Sequence, residues 1–183
     1  MIQYIDGEKS YIITPEGLKA GDIVTAGENS EIKPGNSMAI KYIPRGLGIY
    51  NIETRIGGGA TLVRSAGSAA TLLAKSGDYA TVKLPSGELR LINIKCKATI
   101  GRVSNPDVRN VVIGKAGINR KKGRRPKVRG AAMNAADHPH GGGEGKAPVG
   151  RSGPYSKWGK AVGGVKTRNK KKGSNKYIVK RRK

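Results

Sequence analysis

The segment Asp137-His138-Pro139-His140-Gly141-Gly142-Gly143-Glu144-Gly145 holds both histidines of the chain and two carboxylates within eight residues. Three kinds of catalytic chemistry use such residues, and each has a spacing requirement. A metal site needs ligands at a fixed pitch, such as histidines four apart on a helix, and Pro139 with its flanking glycines imposes no such pitch. The His140-Gly141-Gly142-Gly143 string is like an esterase oxyanion loop, but no G-x-S-x-G elbow occurs anywhere in the chain to supply a nucleophile. A phosphate-binding loop needs glycine five residues before the glycine of Gly145-Lys146. His140 stands there, and Ala147 stands where a Ser or Thr would hold magnesium. Gly57-Gly58-Gly59 has no Lys in place either and reads as a barrel loop. What survives is a rigid loop whose backbone amides and imidazoles can dock onto RNA, with hydrogen bonding a commoner role for such a histidine than proton transfer.

RNA is also what the charge calls for. The chain has 183 residues, 36 Lys and Arg against 12 Asp and Glu, and a formal charge of +24. Residues 1–112 carry 14 basic and 10 acidic side chains, whereas residues 113–183 carry 22 and 2. A solvated protein face mixes both signs. Here only Asp137 and Glu144 interrupt the basic runs Arg120 to Arg129 and Arg168 to Lys183, which is the pattern of a polyanion binder that gains by releasing counterions. Interleaved glycines let main chain lie close to sugar and phosphate. Aromatic residues are only 4%, with no Phe, which argues against a stacking platform for single strands and for compact, folded RNA as the partner.

The elements that must position these residues fall into two regimes. Residues 113–183 are too poor in apolar side chains to fold around a core and need an anionic partner to order them. Residues 1–112 show short apolar runs broken every eight to twelve residues by turn chemistry, the pattern of an all-β barrel. Ile2 to Ile5 and Ser10 to Ile13 flank Asp6-Gly7, which predicts a type I′ hairpin. Ile23 to Ala26 reads as a strand, and the turn Lys33-Pro34-Gly35-Asn36 predicts a module boundary near residue 35. Beyond it the expected strands are Ala39 to Ile43, Gly48 to Arg55, Ala60 to Arg64, Ala70 to Lys75, Tyr79 to Leu84 and Glu88 to Ile94. In the fifth of these Ala80, Val82 and Leu84 alternate with Thr81 and Lys83. At most a turn or two of helix is expected, around Val128 to Ala136. The single cysteine, Cys96, excludes an internal disulfide and reads as a small core residue on a strand. No apolar run approaches the ~20 residues of a membrane span, and MIQYIDGEKS lacks the regions of a signal peptide, so a soluble chain in an internal compartment is expected.

The run GRRPKVRGAAMNAADHPHGGGEGKAPVGR resembles the bacterial and organellar form of the ribosomal protein L2 family of the large subunit. The resemblance continues upstream through LVRSAG, KLPSGE, CKATIGRV and IGKAG and downstream through WGK and KTR to the basic tail, covering nearly the whole chain. It implies an all-β fold made of a remnant OB-like hairpin over residues 1–35, an SH3-like barrel over 36–112 and a long irregular basic extension over 113–183 that enters the rRNA toward the peptidyl transferase centre. It implies rRNA contacts at Arg64 in LVRSAG and at Lys115 in GKAG. Along the extension the contacts expected are Arg120, Lys121, Lys122, Arg124, Arg125, Lys127, Arg129, Asn134, His138, His140, Gly141, Gly142, Gly143, Lys146, Arg151, Arg168, Arg181 and Arg182. His138 matches the family histidine proposed, contentiously, to support peptidyl transfer. No protein metal or cofactor is expected, magnesium entering only with the rRNA environment. The partners implied are large-subunit rRNA, neighbouring ribosomal proteins and a small-subunit contact, with no membrane, in a ribosome of bacterial cytoplasm or of a mitochondrion or plastid. Family members have a longer N-terminal segment. A separate polypeptide supplying that half, or rRNA or a neighbouring protein covering the edge at Ile2 to Ile13, is therefore expected.

Two other classes compete. An RNA-modifying or hydrolytic enzyme would use His138 with Asp137, but no nucleophile motif or cofactor pocket accompanies them. A DNA-compacting protein would need only the basic tail and would leave the barrel and the histidine loop without a purpose.

Overall fold

The computed structural model describes residues 1–145 and 147–182. They form two compact units, Met1–Val111 with Gly173–Lys183 and Val112–Lys172. The first is all-β and begins with the hairpin β1 (Ile2–Gln3) and β2 (Lys9–Ser10). Its turn is not type I′, which needs positive φ at two successive residues. Gly7 has φ 91° but Asp6 does not share it. The Gly7 amide donates to the Tyr4 carbonyl at 3.0 Å and the Tyr4 amide to Glu8 at 2.8 Å, a three-residue loop closed by a bulge at Gly7. Asp6 is held out of the left-handed region because its Oδ1 accepts from the Glu8 amide at 3.0 Å.

Ile23 to Ala26 makes one isolated parallel bridge, Ala26 with Ser37, instead of a strand. Buried Asn36 takes over the pairing: its Oδ1 accepts from the Thr25 amide at 2.8 Å and its Nδ2 donates to the Glu31 carbonyl at 3.0 Å. A side-chain staple thus does what a ladder was expected to do.

The main sheet follows in β3 (Ser37–Ala39), β4 (Gly48–Tyr50), β7 (Ala70–Ser76), β8 (Tyr79–Lys83), β9 (Leu89–Asn93), β10 (Lys97–Ile100) and β11 (Ile178–Lys180), while β5 (Ile52–Glu53) and β6 (Ala60–Leu62) pair separately. Every pairing is antiparallel, in the order β11-β9-β8-β7-β4-β10-β3. The expected Gly48 to Arg55 strand is broken at Asn51, whose φ of 53° separates β4 from β5. Ala39 to Ile43 is mostly a 3-10 turn over Ile40–Tyr42. The alternation in β8 is as expected, with Ala80 and Val82 buried and Thr81 half-buried between them. The core gathers Met38, Ile40, Ile43, Ile49, Leu72, Val82 and Ile92 around Cys96. Cys96 is a core residue, yet it sits in the turn before β10 instead of on a strand. Burial, and then the carboxylate of Glu53, push its thiol pKa up.

Two strands, β10 and β11, lie outside the sequence expectation. Ile178–Lys180, within the basic terminal run, is a strand that pairs with β9 through Ile178 with Arg90. Tyr177 and Ile178 are half-buried there while Val179 and Lys180 are exposed, so one half-buried apolar residue anchors this edge strand. Among the described residues, no helix is long and apolar enough to cross a membrane.

Tyr50 ties the N-terminal segment to the core, its buried hydroxyl donating to the Ile13 carbonyl at 3.1 Å. Burial raises the phenol pKa to about 12. A raised folded pKa favours the protonated form, so the stabilisation is complete below the unfolded value near 10 and is lost as pH climbs from 10 to about 12. Tyr50→Phe should cost about 1 kcal/mol at pH 7 for the lost hydrogen bond. It should also lose less stability than the parent between pH 9 and pH 11, read from urea midpoints; identical alkaline slopes would remove Tyr50 from the explanation.

Candidate nucleic-acid interface

In the barrel unit, Arg64 follows an unusual residue. Val63 has φ 55°, a left-handed conformation that a β-branched side chain adopts only under constraint, at a cost on the order of 1–3 kcal/mol. The constraint is visible: the Asn51 amide donates to the Val63 carbonyl at 2.9 Å, and the Val63 side chain packs against the core. Arg64 is exposed directly after this kink. The loop that continues from it is clamped down by Gly67, whose amide donates to the Ser104 carbonyl at 2.9 Å and whose carbonyl accepts from Arg102 Nε at 2.9 Å. A Cβ at Gly67 would come 2.5 Å from Pro106 Cα, so only glycine allows this approach. Beside it lies an open groove of about 640 Å³ lined by Ser65 to Ala69, Pro85, Arg102 and Arg109.

In the second unit, a short helix, α1 (Ala116–Lys121), carries Arg120 and Lys121 in its last turn. It ends in a left-handed cap. Gly123, with φ 81°, donates to the Arg120 carbonyl at 3.0 Å, and the Arg124 amide donates to Asn119 at 3.1 Å. This helix was not expected from the apolar pattern. The signal for it was chemical: cations in the last turn and a glycine just past the end. Lys115, Arg120, Lys121, Lys122, Arg124, Arg125, Lys127 and Arg129 are all exposed. None of the eight has a carboxylate in salt-bridge reach among the described residues, where the ion pairs Lys33–Glu31, Lys41–Glu28, Arg90–Glu88 and Arg102–Glu16 all belong to the barrel unit.

The histidine loop is a knot built from backbone. Asn134 O accepts from the amides of Asp137 at 3.0 Å and His138 at 3.3 Å, His138 O accepts from Gly141, and Met133 O accepts from Gly142. The His140 amide donates to His138 Nδ1 at 3.0 Å, and the Tyr155 amide to His140 Nε2 at 2.8 Å. Those two bonds fix the tautomers, leaving Nε2–H of His138 and Nδ1–H of His140 as donors. The rings lie edge to face at 4.9 Å, and Tyr155 extends the stack at 6.4 Å. Arg151 sits over the Tyr155 ring at 5.5 Å and donates from Nε to the Pro139 carbonyl at 3.3 Å. The amides of His140, Gly141 and Gly142 therefore point inward. The donors the loop leaves unused are the imidazole N–H groups of the two half-buried rings and the remaining guanidinium nitrogens of exposed Arg151.

Asp137 is exposed and makes no hydrogen bond to His138 among the described residues, so the two are not an acid–base pair. No three of His, Cys, Asp and Glu gather there as metal ligands either. Asn134 is exposed at the rim, Gly143 is exposed beyond the knot, and Arg168 is exposed further along the same unit. Arg181 and Arg182 follow β11 in the barrel unit, so the expected contacts are divided between the units. Lys146 lies outside the described residues. A residue that charge counting missed is Trp158. It is 76% exposed at the tip of a tight turn, with Lys157 Nζ 4.6 Å from its ring. Its signal was a lone Trp between two lysines, Lys157 and Lys160, in a chain nearly free of aromatics.

Residues 33–159 match the family described as Ribosomal Proteins L2, C-terminal domain. The match spans strands β3 to β10, the clamped Gly67 loop, α1 and the whole histidine knot. The chain belongs to the ribosomal protein L2 family. The L2 family is structural and non-enzymatic, a large-subunit, RNA-binding constituent of the ribosome that works in translation. Its C-terminal domain is an SH3-like barrel, in keeping with the antiparallel sheet described above.

The knot makes a sharp prediction for L2. A Cβ on Gly130 would land on the His138 ring, and one on Gly141 would land on the Asn134 carbonyl. Gly130→Ala and Gly141→Ala should each raise protease cleavage between residues 130 and 155 by about tenfold, a local cost of about 1.4 kcal/mol, while the urea midpoint of the barrel stays unchanged. Unaltered cleavage would show that the loop is not held by these contacts.

Proposed function

We propose that this protein binds and organises large-subunit rRNA in a bacterial-type ribosome, of bacterial cytoplasm or of an organelle, supporting subunit assembly and the peptidyl transferase region without chemistry of its own. The observation that carries the reading is the set of eight exposed cations between Lys115 and Arg129 with no acid in salt-bridge reach among the described residues. Such a surface is unstable alone through self-repulsion and is relieved by phosphate. The barrel of residues 36–112 docks by shape, with Arg64 and the groove at Arg102 and Arg109 against backbone phosphates. Residues 1–35 act as the end of an OB-like barrel beside it. Residues 113–183 are the rRNA-penetrating part, in which Arg124, Arg125, Lys127 and Arg129 neutralise phosphate, joined by Arg151, Lys146, Arg168, Arg181 and Arg182. His138 and His140 donate hydrogen bonds to RNA from a preformed knot, and His138 supports the peptidyl transferase region by positioning instead of by proton transfer. Neighbouring ribosomal proteins and a small-subunit contact complete the partner set.

The test is ionic strength. Binding of the full chain to folded large-subunit rRNA should fall steeply with salt, by about 0.7 to 0.9 in log–log slope per phosphate contacted. Arg124→Ala with Arg125→Ala should reduce that slope by about 1.4 to 1.8 without moving the urea midpoint of the barrel. A slope near zero in the parent would refute the mechanism. In cell extract the protein should sediment with large subunits. His138→Ala should leave that co-sedimentation in place and lower the translation rate of assembled particles; turnover of an ester, nucleotide or RNA by the free chain would favour an enzyme instead.

A further inference from the structure

Aromatic residues are scarce in this chain, yet two of the seven tyrosines meet in the barrel unit. Tyr79 opens β8 and Tyr177 precedes β11, and the pairing of β11 with β9 brings their rings to 5.9 Å at a tilt of 37°. They border a cleft of about 180 Å³ whose other walls are Thr54, Arg55, Ile56, Arg90 and Asn93. Ile56 is 61% exposed, an apolar side chain left in solvent at the rim beside the Gly57 to Gly59 loop. Arg55 is exposed with no carboxylate in salt-bridge reach among the described residues, whereas Arg90 is mostly buried with Glu88 at 3.9 Å. The cleft thus combines flat aromatic faces, an unused apolar wall, two guanidiniums and the Asn93 amide.

We propose that this cleft receives a single unstacked base of folded RNA. The inference rests on the RNA-binding reading above and adds a second mode to it, since phosphate contacts position a nucleic acid without holding any one base. A cleft of this volume is smaller than the ~300 Å³ at which pockets for whole small molecules begin, so it suits one ring system and not a nucleotide. A tyrosine face stacks any base, and an arginine beside the ring can stack on the base or grip its phosphate. Asn93 Oδ1 already accepts from the Lys95 amide at 2.9 Å, which leaves Nδ2 as the donor to a base edge. An acidic peptide would find the two arginines but would leave the tyrosine faces and Ile56 unused.

The probe is an RNA stem carrying one bulged 4-thiouridine, compared with the same stem in which that residue is paired. With the full chain, irradiation should crosslink the bulged stem to Tyr79 or Tyr177 and the paired stem to neither. The bulged stem should bind about tenfold more tightly, and Tyr79→Leu should bring the two stems within about twofold while Tyr79→Phe keeps the difference. Should Tyr79→Leu fail to fold, Arg55→Ala, a surface change, should narrow the difference in the same sense. Crosslinks confined to the Lys115 to Arg151 segment, with both stems bound equally, would overturn the cleft and leave RNA binding standing. Failure of the chain to bind either stem would refute the RNA reading itself. Loss of the cleft crosslink to a short acidic peptide, but not to unlabelled bulged stem, would overturn the assignment in favour of a protein partner.

Discussion

Twenty-two cations against two acids in residues 113–183 is the constraint to which the rest of the molecule answers. At that charge density apolar collapse is outweighed by repulsion, so order must come from interactions that need no core. The second unit finds two. One is the capped turn at α1, where Gly123 and Arg124 satisfy carbonyls that a six-residue helix would otherwise leave open. The other is the histidine knot, where backbone carbonyls, imidazole nitrogens and two close glycine approaches replace side-chain packing. Both devices leave the cations outside, which is where an anionic partner can reach them.

The barrel solves the opposite problem. Residues 1–112 carry 14 basic against 10 acidic side chains, and they build a core without phenylalanine from isoleucine, leucine, valine and methionine, with Tyr50 the largest fully buried side chain. Aliphatic packing of this kind favours short strands and tight bends, and the backbone pays for them at Asn51 and Val63 in left-handed conformations. That the strain falls immediately before Arg64 is informative. A residue that follows a strained, hydrogen-bonded corner has little main-chain freedom to lose when it meets phosphate, so that part of the ordering cost was met when the barrel folded.

What the sequence made legible follows from the range of the interactions involved. Strand alternation in Thr81, Val82 and Lys83 and the division of charge at residue 112 are local patterns, and both survive in the structure. The Asp6-Gly7 turn was read from a dipeptide preference, and an equally local competitor, the bond from the Glu8 amide to Asp6, changed its type. Ile23 to Ala26 had the composition of a strand, but the Asn36 side chain takes the Thr25 amide from eleven residues away, and a single bridge to Ser37 does the rest. The pairing of Ile178 with Arg90 could not be read at all, because a three-residue strand in a lysine-rich tail has no period to detect. At the site, residue types pointed to RNA by charge, whereas which ring nitrogens of His138 and His140 are already bonded depends on the amides of His140 and Tyr155, and no spacing rule links His140 to Tyr155.

The same limit applies to low aromatic content as a guide to where stacking faces lie. Composition averages over the chain, and stacking needs only two rings in one place. The fold brings Tyr79 and Tyr177 together through a strand pairing invisible in the sequence, and exposes Trp158 on a turn flanked by lysines. Tyr177 and Trp158 each lie beside a lysine, so attraction of phosphate to that cation would raise the local concentration of bases around the ring. On the cleft proposal, charge brings RNA and the few aromatic positions choose which part of it is held.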